Sequence, residues 1–209
     1  MIGIETMTSL FATAVVLALV PGPDNLFVLT QSVLQGRWAG LMATLGFSTG
    51  LIFHTLAVTL GVAAIFQTSH LAFTFLKIFG AAYLLYLAWR YLRMPMIEPG
   101  SVSIPPLEPW QFYRRGIIMN VTNPKVSLFF LAFLPQFADP QAGSVVWQMI
   151  VFGLLFILAT LLVFGGLALL AGAVSPWLNR KPQVQRGIHW VAALIFVVLA
   201  IRLMLAQPV

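Results

Sequence analysis

Six apolar stretches, each long enough to cross a lipid bilayer, constrain this 209-residue chain more than anything else in it. They run approximately over 8–33, 40–66, 70–92, 115–137, 146–173 and 186–206. A hydrocarbon core about 30 Å thick takes about 20 apolar residues of helix to span. Lipid offers the backbone no hydrogen bonds, so a spanning segment of this length must be helical to satisfy its own amides and carbonyls. Composition agrees, with 60% of residues hydrophobic, 8% charged and a mean hydropathy of +0.97. The expected fold is all-α and integral to a lipid bilayer, with six transmembrane helices in a single transmembrane domain over 1–209. The first stretch is read as a mature helix and not as a leader. Glu5 is its only early charge, and its apolar pattern resumes at Leu26, Phe27, Val28 and Leu29.

The formal net charge of +6 sorts by loop. Arg37 falls in the first loop, Arg90, Arg93, Arg114 and Arg115 in the third, and Arg180, Lys181 and Arg186 in the fifth. The second loop, at about 67–70, and the fourth, at about 138–145, carry no Lys or Arg. By the positive-inside rule the odd loops face the cytoplasm and both termini the periplasm, with Arg202 the one count against it. Basic residues dispersed between apolar spans form no aromatic-interleaved patch, which excludes nucleic acid as a partner. The chain has no cysteine, which excludes disulfides and thiolate metal sites, and no cofactor or metal site is expected.

Two apolar runs are interrupted at matching places, by Pro21-Gly22-Pro23-Asp24 and by Asn123-Pro124-Lys125. Proline removes a backbone donor and clashes with the carbonyl four residues back, so these breaks should free the carbonyls of Leu17, Leu19 and Asn120. Irregular backbone at that depth survives only where it is buried in protein or lines a polar cavity, which points to a transport site. Placing Pro23 over Pro124 puts Asp24 over Lys125 and divides the chain into repeat 1 (about 1–92), a cytoplasmic linker (about 93–113) and repeat 2 (about 114–209). Three spans per half give an inverted-topology repeat. The linker reading rests on Met94–Pro109, which holds five of the thirteen prolines.

An aspartate at the centre of a span costs about 2.5–3.5 kcal/mol on insertion scales. Asp24 nevertheless suits its place, because Pro23 can begin a new half-helix whose dipole favours a carboxylate in its first turn. Lys125 is in the reverse situation, a cation at the positive end of a half-helix capped by Asn123, and needs an anion such as Asp24 or a substrate carboxylate. Asn25, Asn120, Thr122 and Asn123 can bond freed carbonyls or a ligand equally well. His54, near the middle of the second span, could relay protons or bond a nearby carbonyl. Gln31, Ser32, Gln136 and Asp139 lie towards helix ends, where solvation is the simpler account. Lys77 reads as snorkelling, and His70 and His189 as interfacial or structural.

Gly46-Phe47-Ser48-Thr49-Gly50 matches the G-x-S-x-G pattern of serine hydrolases, which leaves an intramembrane protease as an alternative. That elbow needs a strand running into a helix, whereas this segment lies in a spanning helix, where Gly46-x-x-x-Gly50 serves close helix packing.

Taken together, Pro21-Gly22-Pro23-Asp24-Asn25, Asn123-Pro124-Lys125, Phe129-Phe130 and Pro135-Gln136-Phe137 resemble the LysE/RhtB family of amino-acid exporters. Lys77-Ile78-Phe79-Gly80-Ala81-Ala82-Tyr83-Leu84 and the small-residue second span are also similar to it. The resemblance implies a secondary transporter, not an enzyme. It would export an amino acid or derivative (homoserine, homoserine lactone, threonine, leucine or a basic amino acid) from the bacterial cytoplasm across the inner membrane, using protons as the coupling partner. The superfamily's metal-ion exporters are an alternative that the lack of cysteine disfavours. Whether the bundle works alone or as a homodimer is open at this level.

Overall fold

The computed structural model describes residues 2–20, 22–65, 70–93, 108–180 and 182–205, with the side chains at 62–65, 70–73, 76–77, 172–180, 182, 184–185 and 188 left aside. Helix α1 spans Ile4–Leu19, α2 Pro23–Gln35, α3 Arg37–Ile65 and α4 His70–Leu92. Then come α5 at Pro109–Val121, α6 at Pro124–Leu128, α7 at Val145–Arg180 and α8 at Pro182–Leu205. No strand occurs among the described residues.

The two breaks split the first and fourth apolar runs, so that the described residues hold eight α-helices. Within the described residues, α3 over Arg37–Gly61 and α7 over Val145–Ala171 are each long and apolar enough to cross a membrane alone. Two bent pairs, α1 with α2 and α5 with the segment Pro124–Phe137, raise the number to four if each is one span. Shorter apolar stretches, Ile78–Leu92 and His189–Leu205, lie in α4 and α8.

Local chemistry sets the boundaries. At the first break the chain turns by 60°. Gly22 is the extended N-cap of α2, without a side-chain cap, and Pro23 takes the first helical position, where its missing N–H costs nothing. Helix α2 ends at Gly36, whose φ of +87° only glycine adopts readily. Helix α5 opens with a capping box in which Gln111 Oε1 accepts from the Glu108 amide at 3.0 Å, so the helix begins inside the stretch read as linker. The remainder of that linker, 94–107, lies outside the described residues. The second break bends by 48°, with Asn123 Oδ1 accepting from the Lys125 amide at 3.0 Å and Pro124 again in first position. Beyond it the helix is irregular: five residues of α6, a π-helical turn at Phe129–Phe133 and a 3-10 turn at Leu134–Phe137.

Helix α3 is central, packed on α5, α7 and α2, while α7 also meets α1 and α2, and α4 pairs with α8. The contact of α3 with α5 depends on glycine. A Cβ at Gly46 would collide with the Tyr113 carbonyl and lie 3.0 Å from the Gly116 Cα, and one at Gly50 would fall 2.6 Å from Asn120 Oδ1. Residues 46 and 50 therefore lie against 116 and 120 as a pair of four-residue steps, and Ser48 simply donates to the Thr44 carbonyl at 3.0 Å. This is helix packing, with no hydrolase elbow. The larger core gathers Phe129, Phe130, Phe133, Phe152 and Phe156, and a smaller one joins Phe47 to Phe164 at 5.6 Å edge to face. Leu60, Phe79, Trp190 and Leu205 point outward from the bundle, as lipid-facing side chains do.

Candidate functional site

The two breaks meet inside the protein. Asp24, in the first turn of α2, is 3% exposed, and Lys125, in the first turn of α6, is 6% exposed. Asn123 stands between them. Its amide nitrogen donates to Asp24 Oδ2 at 2.7 Å while its amide oxygen caps the Lys125 amide, so one side chain couples the aspartate of one half to the half-helix start of the other.

Freed carbonyls are satisfied largely by crossing over. Lys125 Nζ donates to the carbonyls of Leu17 at 3.3 Å and Val20 at 3.5 Å. Val20 thus takes the place expected for Leu19. Asn25 Nδ2 donates to the Ala18 carbonyl at 2.5 Å. On the other side, the Asn120 carbonyl is bonded by His54 Nε2 at 3.1 Å and by the Asn123 amide at 3.0 Å. His54 acts here as a carbonyl partner, with its ring 5.6 Å from that of Phe130. The ammonium of Lys125 therefore meets carbonyl dipoles directly, while Asp24 is linked through Asn123 to the Lys125 backbone amide.

Among the described residues, four buried acceptors have no hydrogen-bond partner: Asp24 Oδ1, Asn25 Oδ1, Asn120 Oδ1 and Gln31 Oε1. An unpartnered buried acceptor is expensive, and native proteins keep few. All four are oxygens, acceptors that a donor group would satisfy. Gln31 corrects the expectation of solvation near a helix end, and so does Ser32, which is buried and donates to the Val28 carbonyl at 2.6 Å. Gln136 is half-buried and bonds the Ala132 carbonyl, Asp139 is exposed and caps Gln141, and Thr122 is exposed and bonds the Ile118 carbonyl. Pro21 lies outside the described residues, as do the side chains of Lys77 and His70. His189 is half-buried against the Tyr91 ring.

One residue of the site escaped sequence reasoning. Tyr91, near the end of α4, is 4% exposed, and its hydroxyl is 3.4 Å from the point where a Gly22 Cβ would stand. Lys125 Nζ lies 3.3 Å and Asn25 Oδ1 3.8 Å from the same point. Nothing local marks Tyr91 out from the neighbouring aromatics Tyr83, Tyr86 and Trp89. On the flank of Lys125 is a cavity of about 10 Å³, walled by Leu17, Leu84, Phe129, Phe133 and Leu199. That is room for about one water, far less than an amino acid, so entry of any cargo requires the helices to part. No three His, Cys, Asp or Glu come together as a metal site among the described residues.

The chain is similar to several known membrane proteins. A Salmonella typhimurium homoserine/homoserine lactone efflux protein is 32% identical over 177 residues, covering 83% of this chain and 84% of the relative. A Salmonella choleraesuis leucine efflux protein is 31% identical over 201 residues, covering 93% and 92%. An uncharacterized membrane protein of Pseudomonas aeruginosa is 30% identical over 209 residues, covering 97% and 96%. No solved structure matches. The profile of the LysE type translocators matches residues 15–207, which include both breaks and every residue of the buried site. With that match and these relatives, the chain belongs to the LysE type translocator family of membrane proteins, and is a transporter and not an enzyme.

Proposed function

We propose that this protein is a proton-coupled secondary transporter that exports an amino acid or close derivative, of the homoserine, homoserine lactone, threonine or leucine kind, from the bacterial cytoplasm. The observation that carries this reading is the convergence of Asp24 and Lys125 in one buried site through Asn123. A zwitterion leaving water needs a partner for each of its charges, since an uncompensated charge in a dry site is prohibitive. The unpartnered oxygens of Asp24 and Asn25 suit its ammonium, and Lys125 suits its carboxylate. Proton binding at Asp24 from outside would compete with the ammonium and release the cargo outward. The membrane potential contributes about 2.3 kcal/mol per charge per 100 mV, enough to drive export uphill.

In this reading each bent pair is one span, and α3, α4, α7 and α8 bring the number to six. Part of the packing supports two related halves: exchanging α1 with α5, α3 with α7 and α4 with α8 turns the α3–α5 contact into the α7–α1 contact and leaves α3–α7 and α4–α8 unchanged, while the packing of α2 on α3 and α7 has no equally extensive counterpart in α6. Inverted halves rocking about the breaks would give alternating access in the inner membrane, with the odd loops cytoplasmic and both termini periplasmic.

The test is uptake of labelled L-leucine, L-homoserine and L-threonine into proteoliposomes under an imposed pH gradient. Uphill accumulation of at least one, collapsing when a protonophore removes the gradient, is the expected result. Movement that only equilibrates concentrations, or no movement of any of the three, overturns the reading.

A further inference from the structure

A cation, a hydroxyl and an unpartnered acceptor all approach the side of Gly22 where a side chain would stand. Lys125 Nζ, Tyr91 Oη and Asn25 Oδ1 all lie within 3.8 Å of the position a Gly22 Cβ would take. Gly22 has φ −159° and ψ −179°, extended backbone open to any residue, so conformation does not require glycine here. A Cβ there would sit close against the Lys125 ammonium at 3.3 Å and in ordinary contact with the Tyr91 hydroxyl at 3.4 Å.

Lys125 carries three N–H donors, and two are directed at the Leu17 and Val20 carbonyls at long distances. One donor is left, on a side chain that cannot reach bulk water. The Tyr91 ring is fixed by α8, 5.5 Å from Phe196 and 6.4 Å from His189, so its hydroxyl is held in place rather than swinging to solvent. Two donors of different elements, α4 and α6, thus converge on one point beside an acceptor on α2.

We infer that Tyr91 and Lys125 together form a carboxylate clasp beside Gly22, which makes the protein favour the free acid of its cargo over the corresponding amide. The inference rests on the exporter reading above and sharpens it. A carboxylate offers two oxygens and accepts one bond from each donor, whereas an amide replaces one acceptor oxygen with a donating nitrogen that would face the ammonium. Asn25 Oδ1, on the same side, takes one N–H of the α-ammonium.

The experiment measures competition by L-leucine and L-leucinamide, or by the acid and amide of L-homoserine or L-threonine if one of those is the labelled cargo transported by the wild type. The pH is kept acidic enough to protonate both amines. The wild type should bind the acid at least tenfold more tightly than the amide. In Tyr91→Phe the acid should weaken by about tenfold, the value of one hydrogen bond to a charged group, and the amide should stay unchanged, so the ratio falls towards one. Structural damage weakens both ligands together and does not move the ratio. Gly22→Ala, which fills the gap without removing a donor, should lower the same ratio. A wild-type ratio near one, or a ratio that Tyr91→Phe leaves intact, overturns the clasp while the exporter reading stands. Failure of the wild type to move any of the three amino acids removes that reading itself.

Discussion

The two breaks share a proline in first helical position, yet they solve the backbone problem differently. The second is largely self-sufficient: Asn123 caps the new helix with its own side chain, and its backbone amide serves the Asn120 carbonyl. The first has Gly22 for a cap, with no side chain to offer, and hands the carbonyls of Leu17 and Val20 to Lys125 from the other half. The first break is also the more bent, 60° against 48°. The two breaks thus divide the labour between them. The first break borrows its partners and the second supplies them, so a cargo that bonds Lys125, as proposed above, would loosen the first break in particular.

Removing the lender should have the largest effect. Lys125→Met leaves the buried carbonyls of Leu17 and Val20 without their donor, and each group so orphaned costs about 1–3 kcal/mol. Thermal unfolding in detergent should show a marked fall in Tm, and transport should vanish. A variant that unfolds like the wild type and transports at its rate would mean that the first break does not depend on the second.

Asp24→Asn tests the other member with less harm to the fold. The amide oxygen can still accept from Asn123 Nδ2, so the link between the breaks survives. Uphill transport driven by a pH gradient should be lost, while exchange of labelled for unlabelled cargo across the same vesicles continues. Full gradient-driven accumulation in this variant would remove Asp24 as the obligatory proton carrier.

Much of this was legible because lipid is an exacting solvent. Buried charges and prolines in apolar runs have few innocent explanations there, so Asp24, Lys125, Asn123 and Asn120 could be picked from the chain. Gly46 and Gly50 could be read as packing residues for the same reason, since close helix contact in lipid needs small side chains. Tyr91 could not, because its role comes from α4 crossing Gly22, a tertiary fact with no local signature. Gln31 and Ser32 were misplaced because position along a helix says nothing about which face is covered, and α2 turns both of them into the protein. The irregular helix after Pro124 was equally hidden, as the Phe-rich run that forms a π-helical turn has the composition of an ordinary span.

His54 gives the smallest expected effect and separates support from function at the second break. Its ring nitrogen bonds a carbonyl that already accepts from the Asn123 amide, so the Asn120 oxygen keeps a partner when the imidazole is lost. The cost of His54→Leu should then be that of one ordinary hydrogen bond, about 0.5–1.5 kcal/mol, and not that of an orphaned carbonyl. Proton coupling should persist in the proteoliposome assay, because the proton site assigned to Asp24 is reached without the imidazole. If His54→Leu instead uncouples transport from the pH gradient at wild-type stability, the histidine is part of the proton path, and the second break supplies chemistry as well as support.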